Sequence, residues 1–182
     1  MSNDLENTLS EISETDTQMN WTSGTVVLKL YETVDAARRV DAQRVDAQRL
    51  EQWLSVLRRR PVDEVFSALI EVFRSADRPY NLHQEYAGRL LLALKPPCPF
   101  DIEATIKRVL PTWDYSVEQL PQYFDAAVGR ERVLQALDAL RSRCASEEEQ
   151  RAIETFRYWL RTPNSDGTVT QPPTIIRPTD KS

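Results

Sequence analysis

The chain contains few of the residues from which active sites are usually built. It has one histidine, two cysteines and four glycines in 182 residues. It has no glycine-rich phosphate-binding loop, no GxSxG nucleophile elbow and no His/Cys cluster with metal-ligand spacing. The single histidine, His83, follows a helix-capping position, where we expect it to be hydrogen-bonded or solvent-facing. The sequence therefore predicts a non-enzymatic protein that needs no metal and no cofactor.

Long apolar runs are also missing. The longest run in the central part of the chain, Leu90–Leu94, is far shorter than the roughly 20 residues that span a bilayer. The N-terminus is acidic and polar, which is not typical of a signal peptide. Cys98 and Cys144 stand 46 residues apart without a CxxC pattern, so we expect two free thiols. These features predict a cytoplasmic protein without a membrane span.

Charge is distributed unevenly. Residues 1–20 hold five acidic side chains and no basic one, whereas residues 21–161 hold 21 of each sign. A nucleic-acid-binding domain normally has a basic excess, so nucleic acid is not the expected partner. Arginine outnumbers lysine 19 to 4, which suits protein interfaces or reflects the base composition of the genome.

The amino-acid composition divides the chain into three regions. Residues 1–24 are polar and acidic and residues 162–182 are rich in proline and threonine, so both are predicted to be disordered tails. Leu5, Leu9 and Ile12 have helical spacing and could order on a partner. Residues 25–161 between the tails are predicted to form one helical domain.

Apolar residues in residues 25–161 recur mostly with the period of an amphipathic helix, and prolines separate the segments. The stretch from Thr25 to Tyr31 also alternates like a strand, but no second strand is available to pair with it. We therefore expect an all-α fold of about seven amphipathic helices. The expected caps are Asp101, the boxes Asn81/Gln84, Ser116/Gln119 and Ser146/Glu149, and Gly129 at a helix C-terminus.

Short connections predict antiparallel helical hairpins, in which residues 62–75 pair with 81–95 and residues 101–110 with 117–128. In length and pattern these pairs loosely resemble the hairpins of HEAT or armadillo repeats over about 80 residues, without a diagnostic consensus. The resemblance implies a stacked arrangement. An irregular helical bundle is the alternative.

A tandem five-residue repeat, VDAQR, occupies residues 40–44 and 45–49. Five residues rotate a helix by about 140° beyond a full turn, so the two copies cannot share a face. We interpret one copy as a duplication housed in an exposed overhang or a helix break. A helix with two binding faces is the alternative.

Trp, Tyr and Arg dominate interface hot spots, and several lie at helix ends in this sequence. Trp113 and Tyr115 form the best candidate patch, although Trp113 could instead fill the space between hairpins. Further candidates for partner binding are Tyr80 and the run Arg58, Arg59 and Arg60. The preferred interpretation of that run is that its positive charge stabilises the negative C-terminal end of a helix dipole.

Together these observations predict a protein–protein interaction module, such as an adaptor, a scaffold subunit or a toxin-neutralising partner. A helical sensor that binds a small molecule or lipid is the first alternative. The second is an enzyme with a dispersed carboxylate and arginine site, which would gather Glu85, Arg89, Asp125 and Arg157 in one pocket.

Overall fold

The computed structural model describes residues 22–40, 47–75, 81–99 and 101–161. These residues form helices joined by turns and contain no strand, which confirms the all-α prediction. Both predicted tails, the residues 41–46 within the VDAQR repeat, and Tyr80 lie outside the described residues. The helices are α1 (Ser23–Val40), α2 (Ala47–Leu57), α3 (Val62–Arg74), α4 (Asn81–Leu94), α5 (Ile102–Val109), α6 (Gln119–Val128), α7 (Arg130–Arg141) and α8 (Glu147–Arg161).

Several helix ends follow directly from local side-chain chemistry. The Asp101 carboxylate accepts a hydrogen bond from the amide of Ala104 at 2.8 Å and caps α5, as predicted. The Ser146 hydroxyl accepts one from the amide of Glu149 at 3.1 Å at the start of α8. Gly129, with φ of 92°, ends α6 in a conformation that other residues rarely adopt.

Two predicted capping boxes are wrong. Gln84 does not reach back to Asn81, because its amide is buried against another segment of the chain. Ser116 does not cap α6, because its amide and hydroxyl both donate to the Asp114 carboxylate, at 2.9 and 2.7 Å. The helix α6 begins two residues beyond Val117, at Gln119, and no side chain caps it.

The ambiguous segment after Thr25 is helical. Thr22 caps α1 by accepting the amide of Thr25 at 3.3 Å, and the helix continues to Val40. The strand alternative is thereby excluded. The hypothesis about the VDAQR repeat stays a prediction, since the chain between α1 and α2 is outside the described residues.

Helix contacts divide the described structure into two layers. In the first layer α1 packs on α3, α3 on α5 and α5 on α7; in the second, α2 packs on α4, α4 on α6 and α6 on α8. The layers contact each other through the pairs α3/α4, α6/α7 and α7/α8, and α1 also contacts α4. Each helix thus neighbours the helix two positions along the chain, as in stacked helical hairpins. The predicted pairing of residues 62–75 with 81–95 is confirmed by the contact of α3 with α4. The predicted pairing of residues 101–110 with 117–128 is wrong, because α5 packs on α3 and α7 and the long connection after it carries α6 to the other layer.

A continuous apolar core lies between the layers and receives side chains from all eight helices. The apolar face of α3 is buried except at its first residue, Val62, which is 50% exposed. Val62 and Leu28, which is 59% exposed, are the two large apolar side chains of the described residues that face solvent to this degree. None of the helices in the described ranges is long and apolar enough to cross a membrane.

Candidate interaction surface

Trp113, the centre of the predicted partner-binding patch, is a core residue. Its side chain is 3% exposed, and its ring lies 5.2 Å from the ring of Phe156, measured between centroids. The indole Nε1 donates a 2.9 Å hydrogen bond to the carbonyl oxygen of Val117. Trp113 therefore fills the space beside α8, as the alternative interpretation held, and offers almost no surface to a partner.

The connection that contains Trp113 is held to α3 and α4 by hydrogen bonds between neutral groups. The Gln84 amide donates from Nε2 to the carbonyl of Thr112 and accepts the amide of Asp114 at Oε1, each at 2.7 Å. The Thr112 hydroxyl donates in turn to the carbonyl of Phe73. One glutamine on α4 thus fixes two backbone positions of the connection between α5 and α6 and so determines where the next residue, Tyr115, is placed.

Tyr115 is partly exposed, and so are two aromatic residues of α8, of which one contacts Tyr115 and the other contacts the first. The Trp159 indole donates from Nε1 to the carbonyl oxygen of Tyr115 at 2.9 Å. The ring of Tyr158 meets that of Trp159 edge-on, with 5.1 Å between centroids. We call Tyr115, Tyr158 and Trp159 the aromatic surface.

The aromatic surface differs from the other aromatic residues of the described structure in its solvent exposure. Twelve aromatic side chains fall within the described residues, and nine of them are buried. The three that are not buried are the three members of the aromatic surface. The sequence does not single out Tyr158 and Trp159 as site residues, because Trp159 has the spacing of the buried helix face that Ile153, Phe156 and Leu160 form.

The electrostatic surroundings of the aromatic surface are mixed. Partial burial and then the carboxylate of Glu148 raise the pKa of Tyr115, and the Arg151 guanidinium lowers it. The net shift is upward, so the Tyr115 hydroxyl stays neutral and available as a hydrogen-bond donor at physiological pH. One acidic and one basic side chain therefore border the surface.

The other predicted site residues lie elsewhere. Arg58, Arg59 and Arg60 follow α2, whose packing partner is α4, so they belong to the opposite end of the stack from α8. Arg58 and Arg59 are exposed and Arg60 is partly buried. The structure thus joins Tyr115 to Trp113, with 5.4 Å between their ring centroids, but does not join the arginines to them.

The residues named for a dispersed active site belong to separate ion pairs. Arg89 pairs with Glu85 within α4. Arg130 donates to Asp125 at 2.6 Å, and this hydrogen bond raises the pKa of the arginine. Arg157 pairs with Asp138 across α7 and α8. These contacts explain the charged side chains as links within or between helices.

His83 is buried at the junction of α1 and α4. Its side chain is 2% exposed, and Nε2 lies 3.0 Å from a carboxylate oxygen of Asp35. The ring of Tyr31 meets the imidazole edge-on at 4.8 Å. The histidine is therefore hydrogen-bonded, as expected, and joins two helices of different layers.

Within the described parts of the chain, no group of three or more His, Cys, Asp or Glu side chains is arranged to hold a metal ion. Cys98 and Cys144 are free thiols. No protein family, no curated protein and no solved structure matches this sequence or its fold.

Proposed function

We propose that this protein is a cytoplasmic, non-enzymatic interaction module that binds another protein through the aromatic surface. The observation that carries the proposal is the segregation of aromatic residues. The three aromatic side chains of the described residues that are not buried are linked through Trp159, which donates to the Tyr115 carbonyl and contacts the Tyr158 ring. Tyr and Trp are enriched in interface hot spots because they provide large contact areas at a low cost in conformational entropy.

The hydrogen bonds that fix the backbone beneath the aromatic surface also support binding. The Tyr115 backbone is held by the Trp159 indole, and the neighbouring Asp114 amide is held by Gln84. A surface that is fixed before binding loses less entropy when it binds. An adaptor, a scaffold subunit or a toxin-neutralising protein would use such a surface.

Free thiols support the cytoplasmic assignment. Cys98 and Cys144 are not bridged, although both are only partly buried. Unbridged cysteines are typical of a reducing compartment.

The test is capture of the partner from the native cell by the tagged full-length chain, compared between variants. The double variant Tyr115→Ala/Tyr158→Ala removes two rings and keeps Trp159, whose indole holds the backbone. Loss of one hot spot costs 2 kcal/mol or more, so we expect affinity to fall by at least about 30-fold per hot-spot residue. The matched control is Leu28→Ala, which removes an apolar side chain that is 59% exposed at the other end of the stack.

Circular dichroism and the melting temperature of each variant establish that the fold is intact. Unchanged capture by a folded Tyr115→Ala/Tyr158→Ala protein would exclude the aromatic surface as the binding site. Absence of any stoichiometric protein with the unaltered chain would contradict the interaction module itself and favour the small-molecule or lipid sensor.

A further inference from the structure

The connection between α4 and α5 contains three prolines within four residues, Pro96, Pro97 and Pro99. Proline fixes φ at about −65°, and a residue that precedes a proline is restricted to extended or polyproline II backbone. Because Cys98 precedes Pro99, every residue from Pro96 to Pro99 is restricted in one of these two ways. The structure agrees, since these four residues are neither helical nor turned. We call Pro96–Pro99 the proline segment.

One side of the proline segment is fixed to the core. Pro96 is buried, and its carbonyl oxygen accepts a 2.6 Å hydrogen bond from the hydroxyl of Tyr123. Cys98 is half-buried and also packs against the core. The segment is therefore held at two of its four residues, and its conformation is set before any partner binds.

The other side of the proline segment faces solvent. Pro97 and Pro99 are exposed, and so is Lys95, which precedes the segment. Among the described residues, no group donates a hydrogen bond to the carbonyl oxygen of Pro97 or Pro99. No carboxylate of the same residues lies within ion-pair distance of Lys95. The exposed side thus offers two pyrrolidine rings, two acceptor oxygens and one cation.

These groups match the kind of ligand that aromatic-lined grooves recognise. Such grooves hold the rings of a polyproline II segment against flat aromatic side chains, and the preformed backbone loses little conformational entropy on binding. Tryptophan N–H and tyrosine O–H groups in the groove supply the donors that a ligand rich in acceptors needs. Addition to the edge of a sheet is excluded as the binding mode, because prolines have no N–H group to donate.

We propose that the proline segment is a ligand for a groove on another protein, which is lined by aromatic side chains and bordered by a carboxylate that pairs with Lys95. Pro97 and Pro99 make the contact, while Pro96 and Cys98 keep the segment fixed. This contact is separate from the aromatic surface. There, this chain supplies the aromatic rings, whereas here the partner supplies them.

Photo-crosslinking of the full-length chain in its native cell tests the proposal. Ala93 is exposed in the last turn of α4, two residues before Lys95, so a benzophenone-bearing amino acid at this position lies beside the segment and leaves every proline in place. We expect another protein to be cross-linked through a peptide that contains tryptophan or tyrosine, as mapped by mass spectrometry. Cross-linking to the aromatic surface of a second copy, to a peptide without aromatic residues, or to no protein would overturn the proposal.

The affinity of the purified cross-linked protein for variants of the chain is then measured by calorimetry. Pro97→Ala/Pro99→Ala should weaken binding about tenfold, because each proline contributes preorganisation as well as contact. The matched control, Pro61→Ala/Pro111→Ala, removes two exposed prolines that have no proline neighbour and should leave the affinity unchanged.

Lys95→Gln should weaken binding by about two- to fivefold in low salt, as expected for an exposed ion pair. Circular dichroism establishes that each variant is folded, and the single variants Pro97→Ala and Pro99→Ala replace the double variant if it unfolds. An affinity that does not change when the rings of Pro97 and Pro99 are removed would overturn the proposal, and an affinity indifferent to Lys95→Gln would exclude the bordering carboxylate.

Discussion

Replacing Gly88 by alanine tests how closely α4 and α6 pack. Within a helix, alanine is favoured over glycine by about 1 kcal/mol, so helix propensity alone predicts that Gly88→Ala stabilises the protein. The structure predicts the opposite. A Cβ atom at position 88 would lie 2.6 Å from the Cβ of Gln119, where carbon atoms normally stay about 3.5–4.0 Å apart.

Relief of this clash is expensive because neither atom is the end of a flexible side chain. Both Cβ positions are fixed by helix backbones, so α4 and α6 must separate by about 1 Å. Overpacking of this kind costs about 1–3 kcal/mol. After subtraction of the helix-propensity gain, we expect Gly88→Ala to lower the free energy of unfolding by up to about 2 kcal/mol.

Urea unfolding followed by circular dichroism measures this change, and the matched control is Gly24→Ala in α1. A Cβ at Gly24 would have as its near neighbour the Thr22 hydroxyl oxygen at 3.8 Å, an ordinary contact. Gly24→Ala should therefore leave stability unchanged or raise it by a few tenths of a kcal/mol. A double-mutant cycle adds a further check, because Gln119→Gly removes the clashing Cβ whereas Gln119→Ala retains it. If Gly88→Ala stabilises the protein as Gly24→Ala does, the close approach of α4 and α6 is refuted.

Three further substitutions have expected outcomes. Trp113→Ala should lower the free energy of unfolding by about 3–5 kcal/mol in urea titrations, because it leaves a cavity in the core. If stability changes little and partner capture is lost, Trp113 is an exposed contact residue and not a core residue. Tyr123→Phe leaves the Pro96 carbonyl without the hydroxyl that donates to it at 2.6 Å and should cost about 1–3 kcal/mol at pH 7. Burial, and secondarily Cys98, raises the pKa of Tyr123 above its unfolded value near 10. The stabilisation by the neutral hydroxyl is therefore present below about pH 10 and is lost as the pH rises above it. The melting temperature of the phenylalanine variant should fall less steeply with alkaline pH than that of the unaltered protein, and an equally steep fall would contradict this. Asp101→Ala removes the cap on the Ala104 amide and should cost about 1 kcal/mol in melting experiments, while Asp101→Asn should retain most of it.

Helix boundaries were largely predictable because they depend on nearby residues. The predicted segment 62–75 corresponds to α3 and the segment 81–95 to α4, each within one residue at either end. Proline, glycine and capping side chains act over three or four residues, so their effects can be read without knowledge of the fold.

The role of Gln84 could not be predicted for the opposite reason. Its position three residues after Asn81 satisfies the pattern of a capping box, yet its partners are about 30 residues away along the chain. Tertiary contacts override a local preference when a buried backbone group needs a partner. The same limit explains why periodicity assigned Trp159 to the core and could not decide the burial of Trp113.

Gly129 is the entire connection between α6 and α7. A protease must bind several consecutive residues in extended form, and one residue between two packed helices cannot supply them. Limited digestion should therefore leave residues 119–141 as one uncut fragment, with cleavage falling outside it. The shortest connection between two described helices is therefore also one of the points best protected from proteolysis.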